Sequence, residues 1–372
     1  MRALADLLRE STPIGSLPAS WVYLLVSLGV AAFLALGFVA PFAGTLSWVE
    51  RRVAGRMQAR IGPNRVGPQG FFQWIADAVK LLQKEDLIPR DADRGLFKLA
   101  PYLVFLGMFL TFLVIPFSSA LIVADLDIGI LYLAAVTSLV TVGIIMAGWS
   151  SNNKWSLFGA IRSAAQIVSY EIPLALSFAP VVLLSGTLSM QGIIQAQSGG
   201  AGVFHWFLFH NPFTFLSFFV FFTASLAELN RVPFDIPEAE SELVSGYNTE
   251  YSGMRFSLFF MAEWANVFVS SAVATTLFLG GWHVPVLEGI WDLESWNPVW
   301  RNLFQLGAFM AKSSVLIFVI FWVRWSLSRL RVDQLMSVCW KYLVPISFFN
   351  LFGVALWMLV FQDKGILSAI FG

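Results

Sequence analysis

The sequence predicts an all-α, polytopic membrane bundle of about eight transmembrane helices, with one amphipathic helix on its cytoplasmic side. Three observations support this. Charged residues make up 12% of the 372-residue chain and apolar residues 58%, whereas an ordinary soluble domain carries about 25% charged residues. The mean hydropathy is +0.73. The apolar residues gather in stretches long enough to cross a hydrocarbon core, which takes about 20 residues of helix.

Those stretches are 21–46, 99–122, 128–149, 160–185, 212–228, 255–282, 302–325 and 340–361. The fifth is short, bounded by Asn211 and Pro212 on one side and by Glu228 on the other. The 36 phenylalanines and 15 tryptophans fall mostly in or beside these runs, as lipid-facing surface and interfacial anchors require. At the N-terminus, Arg2, Asp6, Arg9 and Glu10 precede a long apolar run with no short h-region and no cleavage site. The first helix is therefore expected to stay in place. No repeat, low-complexity tract or soluble domain is visible, so 1–372 reads as a single integral membrane domain. Gln195–Gly202, rich in Ser and Gly, reads as an outer loop.

Orientation follows from the basic residues. The segment between the first two spans holds Arg51, Arg52, Arg56, Arg60, Arg65, Lys80, Lys84, Arg90, Arg94 and Lys98. Lys154, Arg162, Arg231, Arg255, Arg324, Arg329, Arg331 and Lys341 fall on the same side. Only Arg2, Arg9, Arg301 and Lys364 fall opposite, and Lys312 alone lies within a span. By the positive-inside rule the basic side is cytoplasmic, and both termini face out. An even number of spans requires the same.

Soluble-enzyme signatures are missing: no Walker loop, no dinucleotide-binding glycine fingerprint, no H-E-x-x-H and no C-x-x-C. Cys339 is the single cysteine, which excludes an internal disulfide and a cluster held by several thiolates. His205, His210 and His283 fall near outer helix ends, where solvated or interfacial histidine is the expectation. The chain is expected to bind no metal, flavin or iron–sulfur cluster of its own.

Residues 50–98 are too patterned for a simple connector. Over 70–84, Gln73, Asp77, Lys80 and Lys84 share one helical face, while Phe71, Phe72, Trp74, Ile75, Val79, Leu81 and Leu82 cover the rest. That pattern predicts a helix lying in the membrane interface or on the cytoplasmic end of the bundle. Before it, Arg60-Ile-Gly-Pro-Asn-Arg65-Val-Gly-Pro68 sets two Gly-Pro pairs among arginines, a rigid non-helical loop. Its arginines suit docking of an acidic surface or a polar ligand head, or simple anchoring.

The chemistry lies in ionisable groups at membrane depth. A charged side chain at a helix centre costs roughly 2.5–3.5 kcal/mol on insertion scales and normally faces the bundle interior. Glu171, Glu228, Glu263 and Lys312 are the candidates for an ion or proton path, with pairing or helix capping as the alternative. Beyond Glu228 lies a cytoplasmic loop over about 228–255, whose stretch to Glu250 carries Asp235, Glu238, Glu240, Glu242 and Glu250 against the single Arg231, and Pro233 and Pro237 interrupt any helix through it. Crowded carboxylates raise one another's pKa, so several are expected to exchange protons near neutral pH. A plain solvated acidic loop remains the alternative.

At these residues the chain resembles a known family. The motifs are Trp48-Val-Glu-Arg-Arg52, Arg60 to Pro68, Ala76-Asp-Ala-Val-Lys-Leu-Leu-Gln-Lys-Glu-Asp86, Ser169-Tyr-Glu-Ile-Pro-Leu174 and Ala227 through Tyr251. With Arg331-Val-Asp-Gln-Leu335 and Trp340-Lys341, they are similar to the H-subunit family of the bacterial NADH-quinone oxidoreductase, which includes its mitochondrial counterpart in respiratory complex I. The similarity runs from about residue 40 to 350. It implies a heel subunit between membrane and peripheral arms that forms the lower part of a quinone chamber, with access among the first helix, the 70–84 helix and the sixth helix. Quinone is then a substrate. The partners are other complex I subunits and membrane lipid, with no nucleic acid. The location implied is the bacterial inner membrane.

The resemblance further implies a proton-coupling chain at Glu171, Glu228, Asp235, Glu238, Glu240, Glu242, Glu250 and Glu263. It implies quinone access or subunit docking at Glu50, Arg51, Arg60, Arg65 and Asp77. Related subunits of membrane-bound hydrogenases or other dehydrogenases remain alternatives. So do a stand-alone ion antiporter or channel, and a purely structural anchor whose glutamates are merely paired.

Overall fold

The computed structural model describes residue 29 and residues 33–198, 202–237, 240–285 and 296–361. The chain divides into two compact units at Ala78 and Val79. Among the described residues all regular structure is helical, with no strand.

In the first unit a π-helical turn, Phe33–Val39, leads into α1, Ala40–Met57. The predicted span 21–46 lies partly outside the described residues, and its helix runs on to Met57. After a loop and a 3₁₀ turn at Pro68–Gly70 comes α2, Gln73–Gln83. The loop is held by tight backbone geometry. Gly70 has φ of +73°, and a Cβ there would lie 2.4 Å from the Pro63 carbonyl, so no other residue fits. Likewise a Cβ on Gly44 would meet the Trp74 ring at 2.5 Å, which lets the first turn of α2, within the first unit, lie against α1. Helix α2 buries none of its residues, and Ile75, Val79 and Leu82 are exposed. An apolar side open to the surroundings is what an interfacial helix presents to lipid.

The second unit is a bundle of α3 (Arg94–Thr111), α4 (Gly129–Ser150), α5 (Lys154–Ser185), α6 (Pro212–Glu228), α7 (Gly253–Phe278), α8 (Pro298–Ser326) and α9 (Val344–Phe361). A turn of helix at Val332–Ser337 and a π segment at Val338–Leu343 run into α9. Among the described residues, six helices are long and apolar enough to cross a membrane, and α6 is a shorter apolar seventh. Leu99, Tyr102, Leu106, Val142, Phe318, Trp322 and Leu356 stay exposed on their outer faces. A soluble protein rarely exposes so much large apolar surface, but lipid accommodates it.

The second span departs from its predicted limits of 99–122. Helix α3 starts earlier because Asp93 caps it, its Oδ1 accepting from the Gly95 and Leu96 amides at 3.1 and 3.4 Å. It ends at Thr111, ahead of Pro116, which has no N–H to continue the ladder. Val114, Ile115 and Phe117 are buried in the turns that follow. Hydropathy registers their burial but not their conformation.

In this unit α3 packs on α4 through Gly143, where a Cβ would approach Val104 Cγ2 to 2.5 Å, the small-residue contact typical of membrane helices. Helix α5 carries two internal prolines, Pro173 and Pro180. Pro173 leaves the Ser169 carbonyl without its helical donor, and the buried Cys339 thiol donates to that oxygen at 3.1 Å. The Tyr170 hydroxyl donates to the Leu335 carbonyl at 2.9 Å, so the segment entering α9 is pinned to α5.

Gly159 seats the acidic segment on α5, since a Cβ there would lie 2.7 Å from Gly246 Cα and 2.9 Å from the Tyr247 amide. Backbone cannot rotate away from such a clash, so Gly159→Val should destabilise the protein by about 1–3 kcal/mol and lift 240–253 from the bundle. Thermal unfolding and limited proteolysis across that segment would read both effects. An unchanged melting temperature and cleavage pattern would show that the segment does not depend on this seat.

Candidate functional site

Four helices, α4, α5, α6 and α7, enclose a cavity of about 170 Å³. Its polar wall consists of Thr137 and Ser138 from α4, Glu171 from α5, Ser225 and Glu228 from α6, and Asn266 and Ser270 from α7. The remaining wall is apolar, including Leu133, Phe178 and Phe221. Ser138 Oγ donates to Glu171 Oε1 at 3.3 Å. Two carboxylates from different helices therefore open onto one space with few other polar groups.

A second cavity of about 40 Å³ also has Glu228 and Asn266 in its wall, together with Asn230, Tyr247 and Glu263. Glu263 is bound by Arg231, whose Nη2 lies 2.8 Å from Glu263 Oε1. The Arg231 side chain is 1% exposed, and its guanidinium sits 4.5 Å over the Trp264 ring. A cation stacked on an indole away from water is strongly held. Glu171, Glu228 and Glu263 thus line two spaces that share Glu228.

The chain leaving α6 is fixed by a buried amide. Gln166 Nε2 donates to the Ala227 and Phe234 carbonyls, each at 2.7 Å, taking up a helix-end acceptor that has no intrahelical partner. Further along, the acidic residues separate. Glu242 is exposed and paired with Arg162 at 2.6 Å. The hydrogen bond from Arg162, with the charges of Arg162 and Arg329, holds its carboxyl below the ordinary value, opposite to the rise expected from crowding. Glu250 Oε1 accepts from Asn153 Nδ2 at 2.5 Å. Asp235 is half-buried between Phe234 and Ile236, both buried. Glu238 lies outside the described residues; Glu240 opens the short helix Glu240–Leu243, and its side chain is outside them too.

Tyr251 closes this segment against α3. Its ring stacks on Phe97 at 4.1 Å, and burial pushes its phenol up to about 12. Beside it Arg255 pairs with Asp86 at 3.0 Å.

In the first unit Arg51 Nη1 donates to Asp77 Oδ2 at 2.7 Å, and Gln73 Nε2 donates to Asp77 Oδ1 at 3.2 Å. Glu50 is buried on α1. Arg60 and Arg65 are exposed, and Arg60 Nε donates to Gln58 Oε1 at 2.7 Å. Arg52, next to Arg51 in the same motif, donates to Gln69 Oε1 at 3.0 Å.

Lys312 is accounted for differently. Its Nζ donates to the carbonyls of Leu279, Gly281 and His283 at 2.7, 2.9 and 2.6 Å, and lies 4.3 Å over the Trp206 ring. It caps the chain leaving α7, so the capping alternative describes it. Ser138 and Asn266 were not among the expected site residues. Ser138 gave no signal, since its carboxylate partner is 33 residues away. Asn266 did give one, lying one helical turn beyond Glu263 on the same stripe of α7.

The family described as NADH dehydrogenase matches residues 30–355. The chain is 54% identical over 344 residues to the H subunit of NADH-quinone oxidoreductase from Anaeromyxobacter dehalogenans, covering 90% of this chain and 83% of that one. It is 49% identical to the protein of the same name in Chlorobaculum tepidum, over 90% and 93% of the two chains. It is 43% identical to NADH-quinone oxidoreductase subunit 8 of Rhodothermus marinus, over 93% and 99%.

Because a hydrogen bond to a charged group contributes roughly 1.5–3 kcal/mol, Lys312→Met should lower thermal stability by a comparable or larger amount. NADH-quinone oxidoreductase activity per assembled molecule should stay near wild type. Differential scanning fluorimetry and activity normalised to assembled protein would show this. A stable variant that has lost activity would give Lys312 a role beyond capping.

Proposed function

The chain belongs to the NADH dehydrogenase family as a membrane subunit of the multisubunit NADH-quinone oxidoreductase of respiratory complex I, and on that premise we propose that it couples quinone reduction to proton translocation through its linked carboxylates. The observation that carries this reading is the position of Glu228 in the walls of both cavities, one shared with Glu171 and the other with Glu263. Carboxylates so arranged can hand a proton along without leaving the bundle.

Quinone takes two electrons, delivered by an iron–sulfur centre in a partner subunit, and two protons to become quinol. The change of charge at the quinone shifts the proton affinity of the nearest acidic groups. Asp235, Glu238, Glu240, Glu242 and Glu250 form the near end of the series, and Glu263, Glu228 and Glu171 carry it into the membrane. A proton held at one carboxyl moves to the next carboxylate, so charge advances while no carbon bond changes. Such coupling is strong only where water is scarce: two unit charges 4 Å apart interact by roughly 4 kcal/mol at an effective dielectric of 20 and by about 1 kcal/mol in bulk water.

Glu50, Arg51, Arg60, Arg65 and Asp77 serve quinone access or the docking of peripheral-arm subunits. The Arg51–Asp77 pair and the rigid loop before α2 support that role. The basic ends of the helices face the cytoplasm, lipid surrounds the exposed apolar faces, and the termini lie on the outer side of the bacterial inner membrane.

Glu228→Gln keeps the shape of the side chain and removes its proton site. In membranes where the complex assembles, quinone-linked turnover or proton pumping should fall at least fivefold, while NADH oxidation by an artificial acceptor stays intact. Wild-type turnover and pumping in this variant would remove Glu228 from the path and leave a structural anchor.

A further inference from the structure

Asn266 and Glu228 are the two polar side chains that the cavities of about 170 and 40 Å³ have in common. Glu228 reaches them from the end of α6, and Asn266 reaches them from α7. On α7, Glu263, Asn266 and Ser270 follow at spacings of three and four residues, so they form one stripe along the helix. Glu263 lines the smaller cavity, Ser270 the larger, and Asn266 both. Around this stripe Trp264, Ala265, Val267 and Phe268 are buried and apolar. A carboxamide therefore stands in the wall of both spaces, on a stripe flanked by buried apolar residues.

A carboxamide does not titrate in the physiological range, yet it offers two donors and an acceptor with two lone pairs. It can hold a water on either side whether the adjoining carboxyl is protonated or not. Both spaces can take water, since one molecule needs about 10–15 Å³ of such volume together with two to four polar partners. Leucine, of nearly the same shape, would present only hydrocarbon to both spaces.

Building on the coupling reading above, we propose that Asn266 is a positioning residue for proton transfer at Glu228: it holds water in both cavities and so keeps the Glu228 carboxyl in hydrogen-bonded connection with Glu171 on one side and Glu263 on the other. The proton passes between carboxyl groups and water. Asn266 gives up no proton of its own and sets where the water stands.

The test compares Asn266→Leu, Asn266→Ser and Glu228→Gln in the assembled complex in native membranes, each normalised to NADH oxidation by an artificial acceptor. Asn266→Leu should lower quinone-linked turnover or pumping at least fivefold. Asn266→Ser, which keeps a donor and acceptor and leaves room for one more water, should recover at least half of wild type. Should the leucine variant fail to assemble, Asn266→Ala against Asn266→Ser puts the same question with smaller side chains.

Equal loss in the leucine (or alanine) and serine variants would mean that shape rather than hydrogen bonding matters, and would overturn the proposal. Wild-type coupling in Asn266→Leu together with loss in Glu228→Gln would also overturn it while leaving the carboxylate path intact. Wild-type coupling in Glu228→Gln would sink both.

Discussion

A charge inside a bundle wrapped in lipid must find a partner there, and the Arg231 guanidinium is the charge around which this site is arranged. Its side chain is 1% exposed and lies 2.8 Å from Glu263. Removing one member of such a pair strands the other, at a cost of about 3–5 kcal/mol. The pair can form only if the chain turns sharply after Glu228 and brings Arg231 to α7. That turn depends on Gln166 holding the Ala227 and Phe234 carbonyls. It depends also on the seat at Gly159, which keeps the following segment against α5. The smaller cavity, with Glu228, Asn230 and Glu263 in its wall, exists because these contacts hold the break in the chain open at that point.

Arg231 and Lys312, two cations inside the bundle, meet the same cost with different partners. Lys312 donates to three carbonyls beyond α7, acceptors that do not titrate. Arg231 is neutralised by a carboxylate that borders a cavity shared with Glu228. A proton arriving at Glu263 would weaken its bond to Arg231, and the guanidinium charge would then act on Glu228 more strongly. The carbonyls that Lys312 meets do not titrate in this pH range.

Hydropathy and charge made most of this legible in the sequence. A carboxylate in an apolar run is conspicuous, so Glu171, Glu228 and Glu263 could be named before any coordinates. Neutral polar groups are not conspicuous. Ser138 costs little in a membrane helix and cannot be told from a packing residue without knowing what it faces, and Asn266 shows only through its spacing from Glu263. Pairing across the fold was equally hidden: Glu242 and Arg162 are 80 residues apart, Glu250 and Asn153 are 97. The acidic loop therefore read as a crowd of mutually repelling carboxylates, while the structure gives Glu242 its own arginine. Helix limits failed where burial and conformation part, as at Val114, Ile115 and Phe117 after α3.

The length of α6 sets the depth at which the chemistry takes place. Its 17 residues span about 25 Å at 1.5 Å per residue, less than a hydrocarbon core of about 30 Å. A helix that short, begun at one boundary, ends before reaching the other, so Glu228 and the non-helical chain after it fall within the slab. Irregular backbone at that depth is tolerated only when protein or an internal cavity surrounds it. Here Leu229, Arg231, Phe234 and Ile236 are all buried, and Gln166 takes up the exposed acceptors. Lengthening α6 by one turn would carry the carboxylate past the level of Glu263 and Asn266 and close the space between them. The weakest apolar run in the sequence is thus the one whose shortness leaves Glu228 and the irregular chain after it short of the far boundary.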